Sequence, residues 1–322
     1  MNTEARPVPT WFDPFLGDSG LRQCYHLLHQ GAWAEFDAAL DGAPDSWLHP
    51  FLLLSEDASI ETVVFERYAD ARPSPRSLTY LGGARIRDGY ERLATLGRDA
   101  TVSDRQAFEQ QLTAAEALLV DASREKLTAA DPWILLLFSG RGLKLDLDTL
   151  RDRFENAHSR SPFRADACFH YLLGLGSRSG GSDVAMFDFA RWVADEDEPS
   201  SPAMFCLPVA HLERGLGPET PHSLTEYLAE PEPVEELTAG LRDYLWETQS
   251  EATSPDLLTL NAYALAVTVV DVESARLVRE CFRRIDNRPT AYPWIIDEDN
   301  NVATVFADIQ RAQLRAASRF DF

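Results

Sequence analysis

Few residues in this chain have the types and spacing that chemistry requires. His170 lies in one apolar segment, and His211 and Glu213 lie in another, Ala-His-Leu-Glu-Arg-Gly. Imidazole and carboxylate groups are zinc ligands and general acids or bases, so convergence of these three side chains would form a metal site or an enzyme pocket. The sequence contains no His-Glu-x-x-His pair, and neither His170 nor His211 belongs to a Glu-x-x-His motif. A pocket near these residues is therefore an alternative and not the leading interpretation.

Two glycine-rich segments could hold phosphate groups. Residues 139–144 carry glycines and basic residues but lack the Walker spacing, and residues 174–181 miss the dinucleotide fingerprint by one position. Both segments are typical of turns between helices, where glycine ends the preceding helix. The chain also has no Gly-x-Ser-x-Gly nucleophile motif. We therefore predict no cofactor and no catalytic residue, and we favour a non-enzymatic protein.

The charge balance limits the classes of partner. The 322 residues include 52 acidic and 30 basic residues, a net charge of −22. Nucleic-acid binding needs clustered Lys and Arg, which argues against nucleic acid and favours a protein or peptide partner, possibly a basic one. No apolar run approaches the roughly 18 residues of a membrane helix, so we expect no membrane partner. The amino-terminal residues lack a secretory pattern, which predicts a cytoplasmic location.

The sequence predicts that helices position any functional residues, because it contains several helix-start signals. Five times a small polar residue precedes a proline and leads into a helix-like stretch. This pair starts helices because the side chain caps the first turn and proline needs no N–H there. The pairs are Ser74-Pro75, Asp131-Pro132, Ser161-Pro162, Ser201-Pro202 and Ser254-Pro255. Pro132–Gly140 fits a buried strand or a buried helix, and its Asp-Pro start favours a helix. Pro208 is expected to kink or break the helix that contains it.

The apolar periodicity predicts about fourteen short helices and no sheet, an all-α fold. We expect an irregular leader at 1–17, a helical-repeat array at 18–225 and a carboxy-terminal helical segment at 237–322 packed on the array. Between them, 226–236 carries five glutamates and no basic residue, and we predict an acidic linker there. The four cysteines are far apart and are expected to be buried as thiols.

Three segments resemble tetratricopeptide repeats. Gly31-x-Trp33-x-Glu35 is similar to the turn inside that repeat, and Phe154-Glu155-x-Ala157 followed by Pro162 is similar to its end. Asn261 followed by Ala275 fourteen positions later resembles the link between its two helices. The segment from Arg153 to Gly215 also resembles uncharacterised bacterial helical-repeat proteins. This resemblance implies an irregular α–α superhelix that binds a protein or peptide on a concave groove.

On that model, four residues are expected to face the groove and contact the partner: Arg164, His170, Asn261 and Tyr263. Besides the pocket near His170, His211 and Glu213, a second alternative uses the acidic 226–236 segment. In that alternative the protein is a decoy or an immunity-type protein against a basic partner.

Overall fold

The computed structural model describes residues 15, 17–42, 60–217, 220, 223–248, 252, 256–286, 288–294 and 302–319. Over these residues the protein is all-α and has no strand, as predicted. The chain forms two compact units, the first from Asp18 to Leu175 and the second from Gly176 to the carboxy terminus together with the first seventeen residues. Of the predicted leader, only Phe15 and Gly17 lie within the described residues.

The first unit is a succession of helices. From α3 onward each helix packs on the next, and α6 also contacts α4 and α8. The bounds are α1 Ser19–His29, α2 Trp33–Asp41, α3 Thr62–Ala71, α4 Pro75–Leu96, α5 Val102–Glu125, α6 Asp131–Gly142, α7 Leu147–His158 and α8 Ala165–Leu175. The ambiguous Pro132–Gly140 segment is thus helical, and its apolar side chains are buried in the core.

Of the predicted helix starts, two are confirmed and two are wrong, as follows. Ser74 caps α4 in a capping box with Pro75 in the first turn, and Ser201 caps the 3₁₀ helix Pro202–Phe205. Asp131 does not cap α6; it is the first residue of that helix, and its carboxylate pairs with Arg164 at 3.0 Å. The Ser161-Pro162 prediction is wrong, because α8 begins only at Ala165. Ser254-Pro255 lies outside the described residues.

The second unit surrounds one central helix. Its elements are α9 Asp183–Glu196, the 3₁₀ helix, α10 Cys206–Gly215, α11 Leu224–Leu228, α12 Pro231–Glu247, α13 Asp256–Ala266, α14 Val272–Ile285, the short α15 Ala291–Trp294 and α16 Val302–Ser318. Helix α13 contacts the 3₁₀ helix and α10, α12, α14 and α15. Its residues are buried on nearly all sides, as expected for a helix that is apolar all round.

Two of the sequence predictions concern residues of the second unit, Pro208 and the 226–236 segment. Pro208 is the third residue of α10, in the first turn, where a missing N–H breaks no hydrogen bond. The expected acidic linker at 226–236 is wrong: α11 and the first turns of α12 occupy it, and Pro233 is buried. The chain divides after Leu175 instead. None of the described helices combines the length and apolarity that crossing a bilayer requires.

Candidate functional site

Two of the predicted groove residues are internal to the first unit. The Arg164 guanidinium donates to both oxygens of Asp166, at 3.1 and 2.6 Å, and the side chains of this pair are 7% and 4% exposed. The imidazole of His170 stacks on the ring of Phe138 at 4.4 Å between centroids. Both residues are buried, so the prediction that they face an open groove is wrong. Each joins elements of the helical core.

Asn261 and Tyr263 lie on α13 in the second unit, and both are also buried. The Asn261 amide donates to the Leu257 carbonyl at 2.7 Å and accepts from the Trp294 indole N–H at 2.6 Å. The bond from Trp294 fixes α15 on α13, and Asn261 is buried, so it does not face an open groove. Tyr263 has a different environment, described below.

The alternative metal site does not assemble in the described residues. His170 belongs to the first unit, whereas His211 and Glu213 belong to the second. His211 uses both ring nitrogens, Nδ1 with the Tyr227 hydroxyl at 2.8 Å and Nε2 with a Glu236 oxygen at 2.9 Å. In the part of the chain that the structure describes, no three His, Cys, Asp or Glu side chains group as metal ligands would.

A cleft in the second unit has the features of a site. It lies between α9 and α12, and α13 forms its floor. Its first part is a cavity of about 100 Å³, which we call the apolar compartment. The lining residues are mainly small or aliphatic: Ala190, Val193, Ala194, Pro199, Ala203, Met204, Cys206, Leu207, Gly240, Asp243, Tyr244 and Tyr263. Ala194, Pro199 and Asp243 are exposed, so the compartment opens to solvent.

The floor of the apolar compartment carries the Tyr263 hydroxyl. The ring is 2% exposed, and the hydroxyl has no hydrogen-bond partner among the described residues. It lies against the backbone of Gly240 on α12, where a Cβ would come within 2.5 Å of the hydroxyl oxygen. Glycine at this position therefore makes room for the phenol. The hydroxyl is therefore open to water or to a ligand in the compartment.

The second part of the cleft is a polar compartment of about 220 Å³. Its described lining consists of Ser200, Tyr244, Glu247, Thr248, Ala252, Asp256, Leu260 and Arg284. Tyr244 lines both compartments, and its hydroxyl donates to an Asp256 oxygen at 3.0 Å. The two compartments are thus adjacent parts of one cleft, separated by a fixed tyrosine ring.

Arg284 is the one basic residue among the described residues that line the cleft, and its donors are already used. The guanidinium donates to the Leu245 carbonyl at 3.0 Å, to the Thr248 hydroxyl at 2.8 Å and to Glu280 at 2.8 Å. It therefore holds the carboxy-terminal end of α12, where helix carbonyls lack intrahelical partners. Its positive charge is offset by Glu280 and is not offered to a ligand.

The rim of the cleft is acidic. Asp243 and Glu247 are exposed, and neither forms an ion pair within the described part of the chain. They are four residues apart on α12, so the two carboxylates lie on one face and repel each other. The acidic run Asp195–Glu198 leads directly into Pro199, on the opposite wall. Trp246, 74% exposed, lies beside Asp243 on the next turn.

A polar network holds the two walls of the cleft together. Arg191 on α9 donates to both oxygens of Glu236 on α12, at 2.8 and 3.2 Å. His211 bonds the same carboxylate, and chiefly this bond lowers the pKa of Glu236 from its ordinary 4.5 to about 2. An ion pair with these bonds fixes the spacing of α9 and α12 before any ligand binds.

The groups that line the cleft can bind a ligand through hydrogen bonds and charge. Burial, the larger cause, and the charge of Asp243 raise the pKa of Tyr263 far above its ordinary value. Burial likewise raises the pKa of Tyr244. Both hydroxyls therefore stay protonated at neutral pH and act as neutral hydrogen-bonding groups. Preformed walls, a neutral hydroxyl floor and rim carboxylates together suit a cationic ligand with an apolar portion.

Of the predicted site residues, only Tyr263 belongs to the cleft; Gly240, Asp243, Tyr244 and Glu247 were missed. One sequence signal could have found Gly240. A glycine inside a helical pattern costs about 1 kcal/mol relative to alanine, which indicates a close approach by another group. The other three depend on which face of α12 meets α9 and α13, and that choice is made by tertiary packing.

No protein-family model matches the chain, and neither a curated protein nor a solved structure shows significant similarity to it.

Proposed function

We propose that this is a non-enzymatic helical protein that binds a basic segment of a protein partner in the cleft of its second unit. One observation carries this proposal: in the described part of the chain, the one basic residue that lines the preformed cleft, Arg284, is bonded internally, whereas Asp243 and Glu247 form no ion pair. Unpaired surface carboxylates attract a complementary partner and speed its association.

The surroundings of the rim favour a protein partner. Trp246 exposes most of its ring beside Asp243, and tryptophan is enriched among residues that dominate binding energy at protein interfaces. The face of an exposed indole also attracts Lys and Arg side chains. The resemblance to tetratricopeptide proteins favours the same class of partner, and on the predicted cytoplasmic location the partner is a cytoplasmic protein.

Two earlier alternatives are less well supported by the geometry. The 226–236 segment is less available as a decoy surface, because Glu236 is bonded to His211 and Arg191. The enzyme or metal pocket needs His211, whose ring nitrogens are both bonded within the unit. Asp243 and Glu247, which form no ion pair with a described residue, lie about two and three turns beyond Glu236 on α12, at the cleft.

The test uses two labelled decapeptides, alternating Lys-Ala and alternating Arg-Ala, with binding followed by fluorescence anisotropy at low and at high salt. We compare the native protein with the D243N/E247Q variant. A surface charge pair contributes up to about 1 kcal/mol, so we expect the double substitution to weaken binding about tenfold at low salt. High salt should remove most of that difference.

The matched control is D152N/E155Q, which neutralises two exposed carboxylates on adjacent turns of α7 in the first unit. It lowers the net negative charge by the same two units, so it should weaken binding less than twofold. Equal binding by the cleft variant and the native protein, or equal losses in both variants, would contradict a site at the cleft.

A further inference from the structure

We propose that the apolar compartment is a lysine-specific subsite, in which Tyr263 and Asp243 receive the ammonium group of one partner lysine. This inference rests on the proposed function and names the side chain that the cleft selects. Three observations carry it: the Tyr263 hydroxyl, which has no hydrogen-bond partner among the described residues, the aliphatic walls, and Asp243 as the one carboxylate in the described lining.

The first observation is the incomplete hydrogen bonding of Tyr263. The hydroxyl makes no hydrogen bond to a described residue, so a ligand can bond it without breaking an internal contact. Its oxygen faces a cavity, with Gly240 providing the space on one side. A ligand that enters the compartment can therefore hydrogen-bond this oxygen. The Tyr263 oxygen on the floor can thus bind a polar group of the ligand.

The second observation is the size and character of the walls. Apart from Asp243 and the two tyrosine hydroxyls, the side chains that line the compartment are aliphatic or carry sulfur. An apolar cavity of about 150 Å³ accepts benzene, so the 100 Å³ here suits a slimmer chain. A lysine side chain has an unbranched four-carbon stem that buries well against apolar surface. The compartment therefore fits the stem as well as the charged head.

The third observation is the position of the carboxylate. Asp243 is three residues beyond Gly240 on α12, so it lies on the same face as the glycine that contacts the Tyr263 hydroxyl. An ammonium group in the compartment can thus meet a neutral acceptor and a negative charge together. The carboxylate selects a cation over a neutral alkyl chain, because an unpaired ammonium would not leave water.

The donor count favours lysine over arginine. An ammonium has three N–H donors, whereas a guanidinium has five in a rigid plane. Between mostly aliphatic walls, the Tyr263 oxygen and the Asp243 carboxylate can satisfy most donors of an ammonium but leave several of a guanidinium unbonded. Each unsatisfied buried donor weakens binding, so the compartment discriminates between the two basic side chains.

The test uses n-butylammonium, the free form of the lysine side chain, with n-butanol and n-propylguanidinium as comparisons. Binding is measured by protein-observed NMR titration and by competition with the labelled Lys-Ala peptide. For a ligand of five heavy atoms we expect a dissociation constant on the order of 1 mM. Both comparison ligands should bind at least about tenfold more weakly, because each lacks one matched feature.

Two variants localise the site. Tyr263→Phe removes only the hydroxyl and should weaken butylammonium binding about tenfold, the value of a hydrogen bond to a charged group. Ala194→Leu fills the mouth of the compartment from an exposed position on α9 and should abolish binding. Ala185→Leu, on the same helix but outside the cleft lining, is the matched control and should bind normally.

The outcomes separate this inference from the proposed function. If D243N/E247Q lowers peptide binding but butylammonium does not bind, or Lys-Ala and Arg-Ala peptides bind equally, the lysine subsite is overturned and the basic-partner cleft stands. Unchanged butylammonium binding by Tyr263→Phe or Ala194→Leu also overturns the subsite. If neither peptide responds to the cleft variant, the proposed function fails first.

Discussion

The Arg164 cluster in the first unit and the rim of the cleft in the second unit differ in how their charged side chains are paired. In the first, Arg164 is buried with Asp166 and also meets Asp131, so every charge in this cluster has a partner. In the second, Asp243 and Glu247 on the cleft rim have no ion pair among the described residues. Pairing inside a helical core fixes structure, whereas charge left unpaired beside a cavity is available to a ligand. Four predictions test this contrast.

The largest loss of stability is expected at Arg164, in the cluster where every charge has a partner. Arg164→Ala leaves the Asp166 carboxylate buried without its cation, so we expect the free energy of unfolding to fall by about 3–5 kcal/mol. Urea unfolding followed by circular dichroism measures the loss. Arg124→Ala is the control, since its pair with Asp121 is exposed and should contribute less than about 1 kcal/mol. Similar losses in the two variants would remove the contrast.

The second effect concerns Glu236, which Arg191 and His211 bond between α9 and α12. Its pKa is depressed to about 2, so its contribution is present above pH 4.5 and is lost as pH falls from 4.5 towards 2. We expect the native protein to lose roughly 2–3 kcal/mol in that window. Glu236→Gln should flatten this part of the stability curve. Unfolding measured at a series of acidic pH values checks the prediction, and an unchanged slope would contradict it.

The third effect tests the space beneath the cleft. Gly240→Ala places a methyl group against the Tyr263 hydroxyl, and we expect a loss of about 1–2 kcal/mol after the better helix propensity of alanine is counted. Tyr263→Phe removes the colliding oxygen. In that background Gly240→Ala should be neutral or slightly stabilising, and additive losses in the double variant would show that the two groups do not touch.

The smallest effect is expected at the rim. Asp243→Asn removes an exposed carboxylate that repels Glu247, so the free energy of unfolding should change by less than about 0.5 kcal/mol. The same substitution should weaken binding of the Lys-Ala peptide. Differential scanning calorimetry and fluorescence anisotropy on one preparation measure both quantities. A large stability loss would place Asp243 among the structural charges and would remove the distinction between the units.

Local signals in the sequence predict much of the helical fold. Ser74 and Asp146 cap helices because their side chains reach nearby backbone N–H groups, which sequence spacing alone determines. The Ser161-Pro162 prediction fails because Phe163 has a positive φ of 49° and its N–H bonds the ring of His158. Asp131 fails as a cap because Arg164, thirty-three residues away, takes its carboxylate. The second failure is a tertiary contact, whereas the first is a local bond over five residues that the Ser-Pro pattern does not include.

The site was harder to predict than the fold. Arg164, His170 and Asn261 are polar residues in apolar segments, and the structure uses them as buried connections between helices. Tyr263 joins the cleft because α12 presents a glycine to its hydroxyl. That match depends on how α12 and α13 pack, so the sequence indicates the residue but not its role.

The enclosed position of α13 has a consequence for hydrogen exchange. Helices on several sides cover it, so its amide protons can reach solvent only when most of the second unit opens. Their exchange rates therefore report the full stability of that unit. Amides near the carboxy-terminal end of α12, at the exposed rim, exchange through smaller openings. The amides of the cleft floor thus exchange more slowly than those of the rim. We expect the floor to stay fixed while the rim adjusts to a ligand.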